Sequence, residues 1–343
     1  MNVAVIGATG AVGTEMMRVL EERDFPVDRF VPLASLRSAG SRVTFRGEEH
    51  EVGVVGTDAT RDVDVAFVSI GATASREVLP AIAAGGTVCI DNSSAFRMDP
   101  DVPLAVPDVN PEALAGWPRP GVIAVPNCTT ITVVLALAPL HRAATCTSLV
   151  LSSYQAVSGA GRRGVTELVE QVDKLRGAED MLAHPDVEAL PSGPVMGRTI
   201  AYNVVPRIGQ LDEDGFTGEE RKIMAEPRKI MDAPDMDVMA TSVRVPVIAG
   251  HAVSMSATFA RPISAAEARD VLAGAPGVTL LDDPARDLFP TPLDAAGGDG
   301  AVVGRIRQIP GRDDALALFS CADNLRIGAA LDAIRIAEHL WPR

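Results

Sequence analysis

The 343-residue sequence has only four cysteines, and Cys89, Cys128, Cys146 and Cys321 stand apart, with no Cys-x-x-Cys spacing and no histidine-rich stretch nearby. That scarcity argues against a metal site and against a disulfide framework. Positive charge is also short: 31 basic against 45 acidic residues leave a net charge of −14, and only three of the basic residues are lysines. Such a chain repels a polyanion, so nucleic acid is not an expected partner, whereas a small anion responds to local charge and stays open. No charged leader or cleavage site precedes the strand-like Asn2–Ile6, which points to a cytoplasmic protein. The one long uncharged run, Gly121 to Leu140, is interrupted by Pro126, Asn127, three threonines and Pro139, so no membrane span is expected. Internal repeats and low-complexity tracts are absent as well.

What is present is an ordinary globular composition, 47% hydrophobic and 22% charged, in a chain long enough for two domains. In the first third, apolar runs (Val3 to Ile6, Phe30 to Leu33, Val63 to Ser69, Thr87 to Ile90) alternate with helical patterns such as Glu15 to Glu22. That alternation predicts an α/β domain with a doubly wound, Rossmann-type parallel sheet. Past about residue 145 longer strands dominate, at Thr147 to Val157, Ser242 to Val247, Ala252 to Phe259, Ala301 to Gln308 and Ala315 to Cys321. They predict an α+β domain with a mixed or antiparallel sheet. The expected division is a dinucleotide domain over 1–127, completed by a C-terminal helix at 322–343, and a catalytic and dimerisation domain over 128–321. A helical insert is expected at about 163–198, where Val165, Leu168, Val169 and Val172 form one apolar face. A sheet of that size needs covering, so a homodimer is expected, or a tetramer built from it.

Gly7-Ala8-Thr9-Gly10-Ala11-Val12-Gly13 follows the first strand and opens the first helix. Glycines there let the backbone turn tightly and approach a pyrophosphate, while the helix N-terminus offers amide donors. The spacing is Gly-x-x-Gly-x-x-Gly, and a glycine turn that holds no ligand is the competing reading. An NAD site places an acid roughly 20 residues further on. Here Ser35, Arg37 and Ser38 occupy that region, a set suited to a 2′-phosphate and hence to NADP, although a solvated loop arginine fits the same residues.

Cys128 stands in Val125-Pro126-Asn127-Cys128-Thr129-Thr130, a polar knot inside the uncharged run. With Thr129 to Leu137 continuing as a helix, the thiolate gains from the dipole. An inert core thiol is the alternative. Three further segments accompany that knot: Tyr154-Gln155-Ala156-Val157-Ser158-Gly159-Ala160-Gly161, Arg244-Val245-Pro246-Val247, and Gly250-His251. With the glycine turn, Arg37-Ser38-Ala39-Gly40, Phe96-Arg97-Met98-Asp99 and Asp323-Asn324-Leu325, they resemble the aspartate-semialdehyde dehydrogenase family over nearly the whole chain, in order.

The resemblance implies NADP- and phosphate-dependent interconversion of L-aspartate 4-semialdehyde and L-4-aspartyl phosphate, on the path to lysine, threonine and methionine. A hydride cannot easily reduce a resonance-stabilised carboxylate, and a Cys128 thioester would solve that problem. His251 is the candidate acid/base, although its strand parity with Val253, Met255 and Phe259 equally suits a core histidine. Arg244 points opposite a row of valines and could grip a carboxylate with its forked guanidinium, or lie solvated on an edge strand. Gln155 would orient the acyl carbonyl, or serve as a structural amide.

Thr217 and Glu220 form a capping box that leaves Glu219 and Lys222 on one helix face. There the resemblance gives Glu219 the substrate ammonium and Lys222 the phosphate, and a plain surface pair is the alternative. Arg97 is the second phosphate candidate. By resemblance Asn127 joins the phosphate set, and Ser158, Gly159 and Asn324 the cofactor set. The related N-acetyl-glutamyl-phosphate reductases, which share the cysteine and the histidine, and a catalytically silent NADP-binding sensor are the competing functions.

Overall fold

The computed structural model describes residues 1–342 in two compact units. The first comprises residues 1–139 and 226–235 and the C-terminal stretch from 325; the second comprises 140–225 and 236–324. The return of 226–235 to the first unit has no signature in the periodicity of the sequence.

The first part of the chain runs β1 (Asn2–Ile6), α1 (Ala11–Glu22), β2 (Arg29–Ala34), β3 (Arg42–Phe45), β4 (Glu48–Glu51), β5 (Gly53–Val54), β6 (Val65–Val68), α2 (Ala72–Ala84), β7 (Val88–Asp91), β8 (Gly121–Ala124) and α3 (Cys128–Ala144). Six of these strands form one all-parallel sheet in the order β5-β2-β1-β6-β7-β8, and β3 and β4 pair separately as a hairpin. The order reverses at β1, which is the doubly wound arrangement that the alternating apolar runs predicted. A strand covered on both faces has no polar side to show, and every residue of β6 and β7 is buried. Ala4, Ile6, Leu33, Ala66 and Val68 pack with Leu79 and Ile82 of α2 in one core cluster. Each fully buried Val, Leu or Ile there contributes on the order of 1.5–3 kcal/mol.

The chain continues through β9 (Cys146–Gln155), α4 (Arg162–Leu175), α5 (Glu179–Ala183), α6 (Gly218–Ile230), β10 (Asp237–Arg244), β11 (His251–Phe259), α7 (Ala265–Ala273), β12 (Val278–Leu280), α8 (Pro292–Ala295), β13 (Ala301–Gln308) and β14 (Ala315–Ala322). It ends in a π-helical turn, Arg326–Ala330, and α9 (Leu331–Leu340). The second sheet has the order β10-β9-β11-β14-β13-β12, with parallel pairs at β9–β10 and β12–β13 and antiparallel pairs between. It is the expected mixed sheet. In β9, burial largely alternates along the strand, so one face is core while the other carries Val150, 54% exposed.

Two expectations are corrected. The strand expected at Ser242 to Val247 runs instead over Asp237–Arg244, because Pro246 cannot extend the ladder. The insert helix α4 buries Gly164, Glu167, Leu168, Gln171 and Leu175, whereas Val169 is 46% exposed. Hydrogen bonding turns it that way. Glu167 accepts the amides of Val195 and Met196, and Gln171 Oε1 those of Ile200 and Ala201, so two polar side chains are needed inward to satisfy the covering loop. Among the described residues no helix is long and apolar enough to cross a membrane; the uncharged run is divided between β8 and α3.

Candidate active site

Parallel strands deliver every following loop to the same sheet edge, the carboxyl edge, where open α/β sheets take their ligands. The Gly7–Gly13 turn leaves β1 there, Ser35 to Ser38 leaves β2, Asn92 leaves β7, and Asn127 and Cys128 leave β8. The Gly7 and Ala8 amides donate to Leu33 O, which ties the glycine turn to the end of β2. A Cβ on Gly7 would lie 2.2 Å from Ser69 O, and one on Gly13 2.2 Å from Gly7 O, so only glycine permits this close approach. Gly10 is the N-cap of α1 and provides no side-chain hydrogen bond, so the first-turn amides from Ala11, Val12 and Gly13 are available to a pyrophosphate beside Thr9. The residues present therefore fit a dinucleotide. Beyond β2, Arg37 is exposed, and the Ser35 and Ser38 carbonyls close a short turn with the amides of Ser38, Ala39 and Ser41.

Cys128 is the first residue of α3. Asn127 Oδ1 accepts the amides of Thr129 (2.9 Å) and Thr130 (3.2 Å), capping the helix and holding the cysteine at its N-terminus, one residue earlier than the sequence suggested. Cys89, Cys146 and Cys321 are buried, and burial pushes each of those thiols up to about 12; Cys128 is half-buried. Three thiols are thus inert, and the fourth meets both solvent and the positive end of a helix. Arg97 lies in the same unit, 6% exposed, its Nε on Val125 O (2.8 Å), Nη2 on Asn92 O (2.7 Å) and Nη1 on Glu226 Oε1 (2.9 Å). Glu226 escaped the sequence reading because a buried glutamate on a helix looks like a solvated one until its partners are known.

In the second unit, Gln155 and Arg244 end the paired strands β9 and β10 in register with one another, and His251 begins β11 next to Ala252, the partner of Tyr154. The second sheet therefore gathers all three residues at one end. Arg244 is buried rather than solvated, donating from Nη1 to Ala156 O at 2.7 Å. His251 is wholly buried, and its Nδ1 accepts the Ala156 amide at 3.1 Å, which places the neutral ring's proton on Nε2. Among the described residues that Nε2 has no hydrogen-bond partner. Burial, and then the Arg244 charge, lower the His251 pKa to about 3 against the weaker pull of Glu219.

A Cβ on Gly159 would come within 2.9 Å of Arg244 Nη1 and 3.1 Å of His251 Nε2, so the glycine keeps clear the space that both groups face. Gln155 Nε2 donates to Glu219 Oε1 at 3.3 Å, and Lys222 Nζ pairs with Glu219 Oε2 at 2.9 Å. The expected capping box is present: Thr217 N donates to Glu220 Oε2 at 2.7 Å and Glu220 N to Thr217 Oγ1 at 3.2 Å. Asn324 Nδ2 donates to Ser158 Oγ at 3.0 Å, and Asn324 Oδ1 accepts the Gly250 amide at 3.1 Å. A hollow of about 660 Å³ around Arg198, Tyr202 and Arg207 contains none of these residues. A cavity of about 330 Å³ lined by Ala160, Met196, Val205 and Arg244 reaches one of them.

A parallel sheet with a phosphate-ready glycine turn, joined in one chain to a mixed sheet carrying a polar cluster, defines a two-domain, nicotinamide-dinucleotide-dependent oxidoreductase. The profile for the NAD binding domain of semialdehyde dehydrogenases matches residues 2–117, and the profile for their dimerisation domain matches residues 137–327. The chain belongs to the semialdehyde dehydrogenase family. It is 44% identical to the aspartate-semialdehyde dehydrogenase of Aquifex aeolicus, covering 99% of this chain and 97% of that one. With the enzyme of the same name from Corynebacterium glutamicum it shares 47% identity over 99% of both chains. Among solved structures, aspartate semialdehyde dehydrogenase II from Vibrio cholerae complexed with ASA superimposes with a TM-score of 0.91 at 40% identity, covering 99% of this chain and 97% of that one. The Candida albicans enzyme with NADP gives 0.74 at 26% identity, covering 98% and 97%.

Proposed function

We propose that the protein is an aspartate-semialdehyde dehydrogenase, interconverting L-aspartate 4-semialdehyde plus phosphate with L-4-aspartyl phosphate, with NADP as cofactor. The observation that carries this reading is Cys128, the one thiol that is not buried, held by an asparagine cap at the N-terminus of α3 on the ligand edge of the dinucleotide sheet. In the phosphorylating direction Cys128 Sγ adds to the aldehyde carbon, losing its proton, and a proton reaches the carbonyl oxygen to complete a thiohemiacetal. Bound NADP would supply hydride acceptance; as the hydride leaves carbon the hydroxyl gives up its proton to solvent, and the carbon reaches the acyl level as a thioester on Cys128. Phosphate held by Arg97, Lys222 and Asn127 attacks the thioester carbon, the C–S bond breaks, and the acyl phosphate leaves with the thiolate restored.

His251 keeps its proton on Nε2, where it donates to the reacting oxygen, and Gln155 orients the same carbonyl. Arg244 holds the α-carboxylate and Glu219 the ammonium. Arg37, with no acid beside it in the Ser35–Ser38 turn, supports NADP over NAD, and Ser158, Gly159 and Asn324 complete the cofactor set. The half-exposed sheet face with Val150, Tyr154 and Met239, together with the match to a dimerisation domain, supports a homodimer or a tetramer built from it. Matches to aspartyl enzymes over almost the whole chain support this substrate over an acetylated glutamyl one. The deciding assay is phosphate-dependent NADPH formation from aspartate semialdehyde. Turnover of only N-acetyl-glutamate semialdehyde, or of neither aldehyde, would overturn the reading.

A further inference from the structure

Two anchors in the last turns of α6 lie in the first unit and touch the loops that carry Arg97 and Cys128. Glu226, 1% exposed, accepts from Arg97 Nη1 at 2.9 Å with Oε1 and from the Asn127 amide at 2.7 Å with Oε2. One carboxylate thus joins the phosphate candidate to the backbone immediately before the nucleophile. Three residues further along, Lys229 Nζ donates to three carbonyls, Arg97 O (2.8 Å), Asp99 O (2.8 Å) and Val102 O (2.9 Å). The Arg97 loop is therefore held by Lys229 independently of Glu226. Two acids of α6 also differ: Glu219 bonds Gln155 and Lys222, while Glu226 is committed to Arg97 and Asn127.

The charges have a consequence. Arg97 meets incoming phosphate with its charge already balanced by a buried carboxylate, and that carboxylate repels the dianion. We infer that Glu226 is a positioning residue that trades phosphate affinity for order at the nucleophile: it sets the Arg97 fork and pins the Asn127–Cys128 turn, and in doing so weakens phosphate binding. This rests on the phosphate role proposed for Arg97. A weak hold on phosphate suits a step in which phosphate must leave its anchor to attack carbon, since binding stronger in the ground state than in the transition state slows turnover.

The test compares Glu226→Gln and Glu226→Asp with the wild type, by steady-state kinetics and by direct calorimetric titration with inorganic phosphate. Glu226→Gln removes the charge and keeps the shape. It should lower the KM and Kd for phosphate at least about threefold and lower kcat at least about tenfold, the size expected when a charge-assisted hydrogen bond is lost, with the KM for the aldehyde within about twofold of wild type. Glu226→Asp keeps the charge but is one methylene shorter, so kcat should fall without any tightening of phosphate. A purely structural Glu226 would give the opposite pattern, a lower melting temperature and kcat with phosphate affinity unchanged or weaker in Glu226→Gln, and that result overturns the inference. Should wild type itself neither bind phosphate nor depend on it for turnover, the proposed function fails first and the inference falls with it.

Discussion

Asp332 offers a test of burial energetics that needs no activity. It lies in the first turn of α9, fully buried, and neither carboxylate oxygen has a hydrogen-bond partner among the described residues. Burial raises its pKa well above the ordinary 3.8; Arg335 opposes the shift, and Asp108, which already binds Arg335 Nη1, adds to it. Between the unfolded value near 4 and the raised native value, the folded state holds a proton that the unfolded state has released. Stability linked to this group is therefore complete below about pH 4 and is lost as pH rises, at about 1.4 kcal/mol per pH unit until the native carboxyl ionises.

Asp332→Asn cannot titrate. Its stability should match wild type near pH 4 and exceed it by about 1.4 kcal/mol more with each pH unit above until the native Asp332 ionises, beyond which the difference levels off; each kcal/mol is about 2–4 °C in melting temperature. The assay is urea or thermal unfolding of both proteins from pH 4.5 to 8 at constant ionic strength, read as the difference at each pH. A flat difference, or one that widens toward acid, would refute the claim that a buried, unpartnered carboxyl resists ionisation here.

Other outcomes follow from the site. Cys128→Ala should lower turnover by at least about a thousandfold while NADPH still binds by fluorescence, and iodoacetamide should label wild type at Cys128 alone, because the other three thiols are buried and raised; labelling elsewhere or retained turnover counts against this. With its pKa lowered to about 3, His251 is neutral in the free enzyme from pH 5 to 8, so kcat/KM should show no limb in that range that His251→Gln removes; a limb near 6.5 lost in that variant contradicts the burial assigned here. Glu220→Ala strips the acceptor from Thr217 N, Thr217 Oγ1 and Ser242 N and should cost about 2–4 kcal/mol in chemical denaturation, leaving the KM for NADP near wild type; no loss of stability would refute the cap.

Local chemistry accounts for what could be read in advance. The parallel sheet follows from continuous Val/Ile runs, since a strand covered on both faces has no polar side; the Thr217–Glu220 box follows from two residues three apart on one helix turn. Val169 shows where periodicity fails. An apolar stripe predicts it inward, but the amides of residues 195, 196, 200 and 201 require Glu167 and Gln171 in the interior, and the helix rotates to supply them. Arg244 reads equally well as a surface or a buried residue in the sequence. Its burial comes from the register with Gln155 and from bridging to Val205.

The sequence by itself determined the two fold classes, the dinucleotide turn and the placing of a thiol at a helix start, because each is set by residues within a few positions of one another. Only the tertiary structure decided which nitrogen of His251 carries the proton, that Asp332 has no partner, and that Glu226 joins Arg97 to Asn127 across 129 and 99 residues of chain. A side chain's charge state and hydrogen bonds depend on what the fold brings around it. Those neighbours are distant in sequence and leave no pattern in it.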